Sequence, residues 1–323
     1  MGNRDRRADV LEDDPFSKQR SAPRIHRIHQ RVDREGTVHI DSSSPFSGAL
    51  MQFLGRENWE QPKHHTGRIW HFSDVEKQHL RLAMAAFTLA LGLMAAGGIF
   101  TLATPGITLS AWLVNLLLAM PVMFIAVGPA FLFHEIGHKL VAKKNGCWAE
   151  FRADPKGLQF GVAIAFFAGF LFMAPGAVMV AGLVTRRQNG HIAVAGPLTN
   201  FGLFVVGIPL WGLILGLSGA HEHLAANAGE VFDRVYLVNG ALVWQAMLAD
   251  AAYFWIAANL FLGLFNMLPF GPLDGLKVKD WNEQAFFAVL SLFAILVVPM
   301  ILGMWSPQNV LSFVAEPISS LLR

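Results

Sequence analysis

Charge is scarce in this chain. Of its 323 residues only 15% are charged and 54% are hydrophobic, whereas soluble domains carry about a quarter charged residues. With a mean hydropathy of +0.43, that deficit excludes an ordinary soluble domain and implies an integral membrane protein. Cysteine is nearly absent as well. Cys147 stands alone, so no intramolecular disulfide framework or cysteine-built zinc ribbon can form, and any metal site has to be made from His, Asp and Glu. A net charge of +2 offers no basic excess for nucleic acid, and none is expected as a partner. The start of the chain lacks the short basic segment and apolar run of a cleavable signal peptide, so the tail is expected to stay on the mature protein. No internal repeat is visible.

The charge that is present sits mostly at the front. Residues 1–72 hold close to half of all Lys, Arg, Asp and Glu, and Ser42, Ser43, Ser44 and Pro45 interrupt regular structure. This stretch reads as a soluble, poorly ordered cytoplasmic tail, its histidines (His26, His29, His39, His64, His65 and His71) solvated. Residues 73–323 read as the membrane domain. Ser73 and Glu76 fit a capping box that opens the first helix, which is expected to run to about Thr104. Apolar stretches follow at about 110–133, 158–184, 192–218, 243–270 and 284–304, each near the roughly 20 residues a spanning helix needs. The segment 306–323, broken by Pro307 and Pro317, is left open between a short span and an interfacial helix. The fold class is therefore an all-α polytopic membrane protein with about six transmembrane or membrane-embedded segments.

Lys and Arg set the orientation. Lys77 and Arg81 flank the entry to the first helix, while the 105–110 connection carries no charge, which predicts a cytoplasmic N-terminus. The second helix returns inward and ends on Lys139, Lys143 and Lys144 before Asn145 and Gly146. Positive charge lies on both sides of 158–184, with Arg152 and Lys156 before it and Arg186 and Arg187 after it, so a simple span would violate the positive-inside rule. A segment that enters and returns restores agreement. Ala174, Pro175, Gly176, Ala177 and Val178 interrupt it, which predicts a small re-entrant, strand-containing loop, since such backbone is tolerated at membrane depth only when buried. Trp70, Trp148 and Trp281 suit interfacial anchoring, and His191 an interfacial position.

The second apolar run carries the motif His134-Glu135-Ile136-Gly137-His138. A charged side chain at mid-bilayer costs roughly 2.5–3.5 kcal/mol, so three ionisable residues in five call for a compensating partner, and a metal ion supplies one. Residues four apart lie on one helix face, which lets His134 and His138 hold a single tetrahedral Zn2+ with Glu135 beside it as general base. Topology selects the third ligand. Asp274 ends an inward-running apolar segment at the level of His134, whereas Glu222 and Glu230 fall in an outer loop and Asp280 and Glu283 among lysines. His221 and His223 bracket Glu222, a spacing that binds metal weakly, and a solvated loop is the stronger reading.

These residues resemble the site-2 proteases, intramembrane zinc metalloproteases of the M50 type. Three elements carry the resemblance across roughly residues 73–305: His134 to His138, Ala195 to Asn200, and the segment from Asn266 through Pro269 and Pro272 to Asp274 and Gly275. Leu276 stands where many members have a second Gly. The resemblance implies hydrolysis of peptide bonds within or near transmembrane segments, a membrane-protein substrate such as a membrane-tethered regulator, and a location in the cell membrane. It also implies that Asn200 donates a hydrogen bond to substrate or oxyanion, although a helix cap or interhelical hydrogen bond suits that residue equally well. The strand at 174–180 suggests an edge on which an unwound substrate docks. The small residues of Leu91 to Gly98 suit a lateral gate or close helix packing. A transporter or metal-ion carrier that uses the buried His, Glu and Asp as a transit site remains an alternative function.

Overall fold

The computed structural model describes residues 68–322 except Phe172, Ala174, 182–183 and 226–235, together with the backbone of a ladder pairing Arg31–Val32 with Val38–His39. Two compact units divide the chain, Met1–Gly67 and Arg68–Arg323. The expected tail lies outside the described residues apart from that ladder and 68–72, and so does Glu230.

In the second unit the main elements are α1 (Asp74–Ala95), α2 (Leu109–Lys144), β1 (Trp148–Ala153), α3 (Pro155–Ala168), β2 (Gly176–Ala181), α4 (Arg186–Ser218), α5 (Trp244–Asn266), α6 (Asp274–Trp281), α7 (Glu283–Ile301) and α8 (Pro307–Ser320), with a two-residue ladder, Leu237–Val238 against Ala241–Leu242, before α5. Among the described residues five stretches are long and apolar enough to cross a membrane: Asp74–Ala103, Leu109–Lys144, Arg186–Ser218, Trp244–Asn266 and Glu283–Ile301. The protein is an all-α polytopic membrane protein whose regular strands are small.

Local chemistry explains the boundaries. The Ser73 hydroxyl caps α1 by accepting from Glu76 N–H at 3.1 Å. Only that half of the expected box is used, because the Glu76 carboxylate turns inward to pair with Lys139 and to accept the Phe151 N–H at 3.0 Å. Helix α1 stops at Ala95, short of the expected Thr104, where Gly97 and Gly98 take φ of 70° and 67°, values that suit a residue without Cβ. A 3-10 turn, Ile99–Ala103, continues the span. Thr185 and Gln188 form a full capping box for α4, readable in the sequence as Thr-x-x-Gln.

The stretch 158–184 does not form one helix. After α3 the chain extends into β2, which pairs antiparallel with β1 in the register Phe151↔Val178. The partner strand β1 is an element that the sequence patterning did not mark. Helix α2 packs on α1, α4 and α5, and α8 lies along α4. Phe87, Phe131 and Phe151 stack in succession at centroid separations of 5.4 and 5.8 Å, tying α1, α2 and β1 into one core. Helix α8 is not among the segments able to span a membrane.

Candidate metal centre

Helix α2 places His134 and His138 one turn apart, their rings edge to face at 4.7 Å. The Asp274 carboxylate, at the first position of α6, arrives from the far side of the sequence. Its Oδ2 lies 3.3 Å from His134 Nε2 and 3.0 Å from His138 Nε2, and the two Nε2 atoms are 3.0 Å apart. All three side chains are buried. Ligands about 2.0–2.1 Å from a tetrahedral Zn2+ sit about 3.3 Å from one another, so this triangle matches one face of such a site. Among the described residues this is the only His, Cys, Asp and Glu group arranged to hold a metal.

The approach of the elements depends on two glycines. A Cβ at Gly196 would overlap both imidazoles, and one at Gly275 would overlap the carbonyls of Met267 and Leu268. Leu276, the next residue, is 45% exposed and needs no such exception.

Outer partners fix the ring orientation. His138 Nδ1 meets the Ile192 carbonyl at 2.7 Å, and His134 Nδ1 meets Asn200 Oδ1 at 2.6 Å. With both Nδ1 atoms donating, both Nε2 atoms offer lone pairs to a metal. Asn200 is fully buried, and its amide donates to Ala130 O at 2.9 Å and to Asn259 Oδ1 at 3.0 Å. Neither amide hydrogen is left for substrate, in contrast to the donor role that the resemblance implies for Asn200. Asn259 is a residue that sequence reasoning missed, since nothing local distinguishes a lone Asn in an apolar helix.

Glu135 is 9% exposed and accepts the Val178 N–H at 3.2 Å. Of the expected docking segment, Gly176, Ala177 and Val178 lie in β2 and Pro175 directly precedes it; Ala174 lies outside the described residues. Strand β2 pairs with β1 along one edge and presents Val178 to Glu135 along the other. His191 packs edge to face on Trp281 at 4.6 Å and is no part of the triangle. His221 and His223 lie in a 3-10 turn and are no part of the triangle.

Residues 122–280 match the family described as Peptidase family M50. The chain is 36% identical over 167 residues to "Putative zinc metalloprotease MJ0611" of Methanocaldococcus jannaschii, covering 51% of this chain and 73% of that one. It is 29% identical over 169 residues to "Putative zinc metalloprotease YwhC" of Bacillus subtilis, covering 50% and 68%. No solved structure matches it significantly. With a His, His, Asp triangle and an adjacent glutamate inside the matched region, the chain belongs to peptidase family M50 and is a zinc metalloprotease of the membrane.

Proposed function

We propose that this protease cuts peptide bonds within or beside transmembrane segments of other membrane proteins, at the cytoplasmic side of a cell membrane. One observation carries the reading: His134, Glu135, His138 and Asp274 are buried together where a 36-residue apolar helix ends. Basic residues cluster near that end, with Lys143 and Lys144 closing α2, Arg186 and Arg187 opening α4 and Lys277 and Lys279 on α6, which supports a cytoplasmic placement.

His134, His138 and Asp274 would hold a Zn2+, which when bound would supply Lewis-acid polarisation of a substrate carbonyl and lower the pKa of water to about 7. Glu135 takes the proton of the attacking water and passes it to the leaving amine. His134 and His138 are tied through Nδ1 to Asn200 and Ile192 and stay out of proton transfer. A substrate helix hides its amides in internal hydrogen bonds and has to unwind before it is cut. The unwound segment then adds to the edge of β2, where main-chain hydrogen bonds align it past Glu135 with little demand on sequence.

The test is Glu135→Gln, assayed as detergent-purified protein against a panel of single-span membrane proteins, with and without a zinc chelator. The variant is expected to bind zinc as the wild type does and to lose cleavage. A variant that still cuts would overturn the role of Glu135, and a wild type that cuts only soluble polypeptides would overturn the substrate class.

A further inference from the structure

We infer that Asn259 is a positioning residue for the metal ligand His134, acting through the side-chain amide of Asn200. The inference rests on the zinc reading of the site. An imidazole that binds metal through Nε2 carries its proton on Nδ1 and needs an acceptor there. At His134 that acceptor is Asn200 Oδ1. An asparagine amide can present either end, and the two ends differ only in whether they donate or accept. Turned over, Asn200 would offer N–H to Nδ1 and drive the imidazole proton onto Nε2, where it excludes a metal.

Two acceptors oppose that turn, Ala130 O at 2.9 Å and Asn259 Oδ1 at 3.0 Å. Asn259 is itself held, because its Nδ2 donates to the Trp255 carbonyl at 2.9 Å, one turn back on α5. The Trp255 indole in turn donates to the Leu203 carbonyl at 3.0 Å. Three donors therefore point the same way along a line from the metal ligand: His134 to Asn200, Asn200 to Asn259, Asn259 to Trp255. Asn200 and Asn259 are both 0% exposed, so no bulk water competes, and aligned hydrogen bonds of this kind reinforce one another. Asn259 acts only through Asn200.

The experiment measures zinc affinity by chelator competition on the full chain in detergent, with the unfolding midpoint of the metal-free protein as a fold control. Asn259→Leu, nearly isosteric and without an acceptor, is expected to weaken zinc binding by about tenfold or more, the usual effect of losing an outer partner of a ligand. Asn259→Ser, too short to reach Asn200, serves as a second variant. In an Asn200→Ala background the same substitutions are expected to change zinc affinity by less than about twofold, since the path to His134 is already cut. Equal losses in both backgrounds, or unchanged affinity in the single variants, would overturn the inference. A wild type that fails to bind zinc would instead remove the metal reading on which it stands.

Discussion

The two imidazoles meet over the bare backbone of Gly196. Gly196→Ala would drive a methyl group into both rings, and zinc affinity should fall by about tenfold or more in chelator competition, the scale seen when ligand orientation is disturbed. At Cys147 the expectation concerns reactivity. Burial pushes this thiol above its ordinary range, and the thiolate is the reactive form. Maleimide labelling at neutral pH should be slow in the folded protein and complete in denaturant. The sign of the linkage follows: the thiol's contribution to stability is present below the unfolded thiol pKa and is lost as pH rises toward the folded value. His134, His138 and Asp274 were legible for separate reasons, the pair from helical period and the carboxylate from its level in the topology. Asn259 was not, because its meaning comes from a contact with a residue 59 positions away.

Between elements, the ion pair of Lys139 with Glu76 links α2 to α1, with exposures of only 1% and 0%. Phe72 lies 3.6 Å from the Lys139 ammonium, and Glu76 also holds the edge of β1 through the Phe151 N–H. Removing one member of a buried pair strands the other charge, so Glu76→Gln or Lys139→Met should each cost about 3–5 kcal/mol, with the double variant recovering much of it. Denaturant unfolding in detergent would measure this. On β2, Val178→Pro deletes the N–H that Glu135 accepts. Cleavage should fall about ten- to a hundredfold with zinc still bound, since a hydrogen bond to a charged group contributes about 1.5–3 kcal/mol. The break at Pro175 and Gly176 was visible in the sequence because those residues oppose helix. Strand β1 was not, since it exists by pairing with β2 and by the donors that Glu76 and His79 engage on its far edge.

At the scale of the whole chain, the proposed orientation places Arg187 and Val238 on opposite sides of the membrane. Both are exposed, and the lone native thiol is buried. Single cysteines introduced at the two positions should therefore label from the cytoplasmic and the outer side respectively, and the reverse pattern would invert the topology. The order of the spans was legible because long apolar runs act locally, whereas the placing of α8 against α4 depends on fits such as Val314 over Gly212. Asp274 lies far downstream of His134 and His138 in the chain, beyond β1, α3, β2, α4 and α5. During synthesis the emerging chain therefore holds both imidazoles and the glutamate long before the carboxylate that joins them, and the triangle closes only once α6 has been made.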